Sequence, residues 1–195
     1  MKSLKGTKTA ENLLKAFAGE SQARNRYTYY ASVAKKEGYV QIANIFLETA
    51  DHEKEHAKRF FKFLNESFNG EMVEITNASY PVALGDTKAN LLAAANGEHE
   101  EWADLYPEFA RVADEEGFPE IAEVFRRVCV SEQNHERRYR KLLENVENDK
   151  VFKKDTVIKW KCSNCGYIHE GKNAPAQCPA CAHPQAYFEV FVEPY

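Results

Sequence analysis

The 195-residue chain has no run approaching the roughly 18 successive apolar residues that a membrane-crossing helix needs. Its opening, Met1-Lys2-Ser3-Leu4-Lys5-Gly6-Thr7-Lys8, lacks the apolar stretch of a secretory signal, which points to a cytoplasmic protein. Basic residues are not in excess. The 26 Lys and Arg face 30 Asp and Glu, and a net charge of −4 offers nucleic acid nothing to grip. Apolar residues at 44% and charged residues at 29% exclude a disordered or fibrous chain. Cysteine is nearly missing from the first 150 residues, where Cys129 stands alone in a helical pattern as a small buried apolar residue. The other four all lie beyond residue 160. Residues 151–195 hold five lysines against four acids, which leaves −5 for residues 1–150. That asymmetry predicts a larger acidic domain over 1–150 and a small appended one over 151–195.

Residues 9–37, 40–66, 87–116 and 118–147 place apolar side chains three and four apart, which predicts four long helices. Thr9 opens the first as an N-cap, and Asp86 or Thr87 opens the third. Gly38 and Gly117 occupy the position just past a helix end that glycine favours, so each pair of helices turns tightly and lies antiparallel. The pairs are separated by the segment from Ser67 to Asp86, long enough to run the length of a ferritin-like bundle. The chain also repeats. Residues 33–64 shifted by 79 positions give twelve identities, among them Glu37/Glu116, Gly38/Gly117, Glu53/Glu132, His56/His135 and Arg59/Arg138. Shared amphipathicity explains matched apolar positions, but Glu-x-x-His recurring in register marks a duplicated helix pair.

Charged residues sit inside the apolar stripes. The second helix reads Ile42, Phe46, Thr49, Glu53, His56, Phe60, Phe63, and the fourth reads Ile121, Phe125, Val128, Glu132, His135, Tyr139, Leu142. At about 100° per residue, each Glu and His lies within about 30° of its stripe's centre. Glu20 falls between Leu13, Phe17, Tyr27 and Ala31, and Glu98 and Glu101 fall between Leu91, Ala94, Leu105 and Val112. Glu55 and Glu100 point away. Five inward carboxylates would cost more than a fold of ordinary stability can absorb, and only Arg24 is placed to offset them. Two multivalent cations close the charge balance. One Glu from each of two helices plus Glu-x-x-His from each of the other two is the di-iron or di-manganese pattern of such bundles, and hard oxygen donors with a few imidazoles suit those metals. His52-Glu53-Lys54-Glu55-His56 also matches the zinc-protease H-E-x-x-H, but His52 lies about 70° off the stripe and its repeat counterpart is Ser131, so the match is accidental.

Cys162-x-x-Cys165 and Cys178-x-x-Cys181 form two short loops that can present four thiolates to one tetrahedral ion, zinc or iron. Cys162-x-x-Cys165-Gly166-Tyr167 with Cys178-Pro179-x-Cys181 resembles rubredoxin, a small β-rich one-iron electron carrier, with Trp160, Tyr167 and Phe188 as its covering aromatics. His169 and His183 are surplus to four thiolates and read as surface residues.

A mainly α, ferritin-like four-helix bundle with a long crossover, followed by a rubredoxin-like domain, resembles the rubrerythrin family over nearly the whole chain. The resemblance implies a di-iron site held by Glu20, Glu53, His56, Glu98, Glu101, Glu132 and His135, with Glu53 and Glu132 bridging. It implies that Glu101 and His56 exchange as ligands between redox states, and that the four cysteines hold a third iron. It further implies reduction of hydrogen peroxide to water with electrons from NAD(P)H through separate reductases, in a homodimer. A pair of ferrous ions supplies both electrons that peroxide consumes, and a single thiolate-bound iron recharges the pair one electron at a time. Tyr27 and Tyr106, each two turns from an inward glutamate, are candidates to hydrogen-bond the site or pass protons.

Overall fold

A computed structural model describes residues 2–195. α1 (Lys8–Lys36) packs antiparallel on α2 (Val40–Phe68), and α3 (Thr87–Glu100) with α4 (Tyr106–Glu115) packs along α5 (Pro119–Glu147). The first helix starts one residue before the sequence places it. Its cap is Thr7, whose side chain accepts from the Ala10 N–H, and Thr9 is buried inside the first turn with its hydroxyl on Glu116. Asp86 caps α3 by accepting from the Ala89 N–H at 2.8 Å. After α1, the N–H groups of Gly38 and Tyr39 bond to Lys35 O and Ala34 O; after α4, those of Gly117 and Phe118 bond to Asp114 O and Ala113 O. Both turns are the same paired hydrogen-bond motif, and both glycines have positive φ (86° and 80°), where a Cβ would be strained. The repeat is therefore structural.

The second half differs from the first by one residue. Up to the inward glutamate the repeat offset is 78: Thr9/Thr87, Asn12/Asn90, Leu13/Leu91, Gly19/Gly97, Glu20/Glu98. From Tyr27/Tyr106 and Ala31/Ala110 onward it is 79. The extra residue is absorbed by a π-helical turn, Glu101–Leu105, which divides what periodicity predicts as one helix over 87–116. Beyond that turn the buried face advances by one position. Tyr106, Ala110 and Ala113 point inward, while Leu105, expected on the inward stripe, is 38% exposed and Val112 only half-buried.

The bundle's interior is two apolar blocks. One gathers Leu13, Phe60, Phe63, Phe125 and Val128; the other gathers Tyr30, Ile42, Phe46, Leu91 and Leu142. Each fully buried Phe contributes about 1.5–3 kcal/mol, and the blocks hold a polar layer between them. Residues 69–86 cross without helix or strand, pinned to α1 where Tyr80 donates to Lys15 O (2.9 Å) and Tyr30 donates to Ala83 O (2.8 Å). The tail forms an antiparallel sheet in the order β2-β1-β3, from β1 (Lys153–Cys162), β2 (Ile168–Asn173) and β3 (Phe188–Val190). Trp160 and Phe188 are buried in its small core with Cys162 and Cys178, and Tyr167 is half-buried at its edge. The sheet rests against the start of α2, where Tyr39 stacks on Phe152 at 6.1 Å.

Candidate metal centre

Glu20, Glu53, Glu98, Glu132 and His135 are all at most 4% exposed, within the layer between the apolar blocks. Their ligand atoms form two quartets: Glu20, Glu53, His56 and Glu132, and Glu53, Glu98, Glu132 and His135. In each quartet the atoms lie within 4.8 Å of one another, close to the span of about 4 Å across an ion with bonds of about 2.1 Å. Glu53 and Glu132 belong to both. His56 Nδ1 is 3.0 Å from Glu53 and 2.9 Å from Glu132; His135 Nδ1 is 2.7 Å from Glu132, 3.3 Å from Glu53 and 3.4 Å from Glu98.

Whether these residues fit a pair of cations is decided by their unused atoms. Glu20 Oε2, Glu53 Oε1, Glu98 Oε2, both Glu132 oxygens and His135 Nδ1 are buried without a hydrogen-bond partner among the described residues. The opposite oxygens of the two outer glutamates are taken: Tyr27 Oη donates to Glu98 Oε1 and Tyr106 Oη donates to Glu20 Oε1. Each tyrosine thus reaches across to the other half of the repeat and leaves one carboxylate oxygen aimed inward. Orphaned buried polar atoms are costly and rare. Six of them converging on two points fit two hard cations.

The electrostatics show what those cations would replace. Burial, then the Glu132 charge, raises the Glu20 carboxyl to about 8. Burial and Glu53 push Glu98 well up, and burial and Glu20 do the same to Glu101. Burial would also raise Glu132, but the two imidazoles reverse that and hold it down at about 2. Burial would lower His135, yet Glu132, Glu53 and Glu98 carry it up to about 12; His56 rises for the same reason through Glu132, Glu20 and Glu53.

In the tail, Cys162 Sγ lies 3.8 Å from Cys181 Sγ and Cys165 Sγ 3.7 Å from Cys178 Sγ, far beyond a disulfide bond. A tetrahedron with metal–sulfur bonds of about 2.3 Å has edges of about 3.8 Å. The four sulfurs are preset for one ion.

A profile described as Rubrerythrin matches residues 11–143, and one described as Rubrerythrin, rubredoxin-like domain matches residues 160–189. The chain belongs to the rubrerythrin family. It is 67% identical to Rubrerythrin-1 of Clostridium acetobutylicum over the full length of both chains. It is 62% identical to the rubrerythrin of Porphyromonas gingivalis, covering 96% of this chain and 92% of that one. Among solved structures, nigerythrin in a partially reduced state superposes with a TM-score of 0.64 at 32% identity, over 97% of this chain and 92% of the other.

Of the seven bundle residues that the resemblance implies, Glu101 is the one outside both quartets, although it is close enough for the Glu20 charge to raise its carboxyl. It lies half-buried on the π turn, and the other six are brought together. Arg24 points to solvent, where its charge acts on Asp51 and not on the inward glutamates; the buried cation of that helix is Arg26. Cys129 is half-buried rather than buried, packed beside the first apolar block, and neither His169 nor His183 joins the thiolates. Sequence reasoning missed His52. Its exposed ring stacks on His135 and its Nδ1 lies 3.1 Å from His135 Nε2, on the side away from the carboxylates. His56 Nε2 makes no such hydrogen bond among the described residues. The only signal was the H-E-x-x-H string, and its first imidazole serves a different helix from the one that motif assumes.

Proposed function

We propose that the chain is a non-haem di-iron peroxidase. Hydrogen peroxide takes up two electrons and two protons, its O–O bond breaks and two water molecules leave. Cys162, Cys165, Cys178 and Cys181 would hold a third iron, which would supply one-electron transfer from NAD(P)H-linked reductases or a separate rubredoxin. The observation that carries this reading is the pairing, in one chain, of a six-residue carboxylate–imidazole site with a four-thiolate site. A nigerythrin structure described as fully reduced, all ferrous, supports iron as the metal. A homodimer is part of the proposal.

In the bundle, Glu20, Glu53, His56, Glu98, Glu132 and His135 would hold two iron ions, which when bound supply both electrons. Tyr27 and Tyr106 keep their protons, because burial lifts both phenols well above their usual range. Each holds its proton on Oη against one oxygen of Glu98 or Glu20, which fixes the carboxylate and keeps its other oxygen free. The apolar blocks on either side exclude bulk water from the layer. Glu101 lies on the π turn outside both quartets, with its carboxyl raised by burial and by the Glu20 charge.

Stopped-flow oxidation of the anaerobically reduced protein tests the reading. Peroxide in stoichiometric amount should oxidise the bundle irons at least ~10-fold faster than dioxygen. Faster reaction with dioxygen would instead favour an iron-oxidising or storage role.

His52 should matter as the partner that orients His135. His52→Ala is expected to weaken retention of one bundle ion by ~10–100-fold in chelator competition, with Gln at that position restoring it. Equal retention in the Ala variant would make the contact incidental.

A further inference from the structure

Two glycines interrupt helices for no backbone reason. Gly19 in α1 and Gly97 in α3 are repeat counterparts, each directly precedes an inward glutamate, and neither has a left-handed φ. Glycine in a helix interior costs stability that alanine would restore. Alanine would also fit. A Cβ on Gly19 would meet the Tyr80 ring at 3.6 Å and Glu101 Oε1 at 3.9 Å, and one on Gly97 would meet Arg26 Nη2 at 3.8 Å, all ordinary contacts. Packing does not demand glycine at either position, so what both preserve is space.

That space is a single cavity of about 130 Å³ between α1, the π turn and the crossover segment. Gly19, Arg26, Tyr80, Gly97, Glu101 and Tyr106 line it. Tyr106 links it to the metal centre: the residue lines the cavity, and its hydroxyl donates to Glu20. One face is a cation. Arg26 is only 8% exposed, forms no ion pair among the described residues, and gives Nε to Gln22 (2.6 Å) and Nη1 to Tyr30 Oη (3.4 Å). Its Nη2 has no hydrogen-bond partner among the described residues. Another face is the Glu101 carboxyl. The cavity has room for a few water-sized molecules and presents donors and an acceptor together, which suits a small solute that both gives and accepts hydrogen bonds.

We infer that this cavity is where hydrogen peroxide is received before it reaches the carboxylate layer. Arg26 and Glu101 bind it, Tyr80 closes the roof by its bond to Lys15 O, and Gly19 and Gly97 hold the space open. The inference rests on the peroxidase reading and adds the residues that select a small, polar peroxide.

The test is the Gly19→Ala/Gly97→Ala double variant, loaded with iron. It should melt no lower than the parent and keep its bundle iron, because both added methyls fit. Its rate of oxidation by peroxide should fall by about tenfold or more, and azide, read by absorption, should bind it about tenfold more weakly. Arg26→Met, which exchanges a buried charge for a shape of similar size, should raise KM for peroxide while leaving kcat within about twofold. Tyr80→Ala should raise the rate with tert-butyl hydroperoxide relative to that with hydrogen peroxide. A stable double variant that reacts with peroxide and binds azide as the parent does overturns the inference and leaves the peroxidase reading standing. A double variant that melts lower and loses iron also overturns it, since the glycines would then be packing residues. If the parent itself ignores peroxide, the peroxidase reading fails, and the azide comparison still decides whether small molecules reach the metals through this cavity.

Discussion

Glu132→Ala is expected to empty the bundle of both ions while the four-cysteine site in the tail keeps its own. Glu132 is shared by both quartets, both its oxygens lack hydrogen-bond partners, and it is the nearest carboxylate to each imidazole, at 2.9 Å from His56 and 2.7 Å from His135. Removing one partner from a buried charge cluster costs about 3–5 kcal/mol, which corresponds to a ~10²–10⁴-fold weaker hold on the ions. Two penalties coincide in this variant. Each ion loses a donor, and Glu53 is left as the only carboxylate common to both. Metal analysis should show the bundle content falling from about two ions per chain to a small fraction, with the visible absorption of the thiolate iron unchanged. Glu100→Ala is the control, because that side chain is exposed and belongs to neither quartet. Full occupancy in the Glu132 variant would mean that the convergent carboxylates are not what holds the metals.

The residues at this centre were legible because periodicity alone reports which face of a helix turns inward, and a carboxylate on that face is an anomaly that demands a cause. Glu20, Glu53, His56, Glu98, Glu132 and His135 announced themselves in that way. Glu101 did so only in part. The phase of a straight helix puts it in line with Leu105 and Val112, but the π turn inserts one residue between Glu98 and Tyr106, so the inward face beyond it belongs to Tyr106, Ala110 and Ala113. Nothing in local propensity marks such a turn. It becomes visible only as the change of repeat offset from 78 to 79, and Glu101 sits within the inserted stretch, with no equivalent in α1. The tyrosines were legible as neighbours of their own helices' glutamates, but each hydrogen-bonds the glutamate of the other half, a fact of tertiary packing. Arg26 escaped notice because a basic residue in an amphipathic helix ordinarily extends to water, as Arg24 does, whereas Arg26 turns into the cavity that it lines together with the crossover segment. His52 escaped because it lies off its own stripe and finds its partner on α5.

The metal-free protein should lose stability as pH rises through neutrality, and bound cations should reverse that trend. A carboxyl whose folded-state value is raised keeps a proton that the unfolded chain releases. Its contribution is therefore constant below the unfolded value of about 4.5 and is lost as pH climbs toward the folded one. Glu20, raised to about 8, acts this way between about 4.5 and 8, and Glu98 and Glu101 act in the same direction over a window that extends higher. The histidines add to the trend. Raised imidazoles stabilise fully below about 6.5 and lose that contribution as pH rises toward the folded value, about 12 for His135. Within the acidic layer Glu132 opposes; like the lowered carboxyls outside it, such as Glu11, Glu116 and Glu136, it loses its contribution at the acid end, as pH falls below about 4.5. Urea unfolding of the chelator-treated protein, followed by helical circular dichroism, should therefore show several kcal/mol less stability at pH 8 than at about 5.5. Ferrous or manganous ion should restore more stability at pH 8 than at 5.5, because the ions need those same groups deprotonated and displace their protons on binding. A metal-free bundle equally stable at both pH values would show that its acidic layer is already neutralised by the protein's own groups, and the requirement for a pair of cations would fall with it.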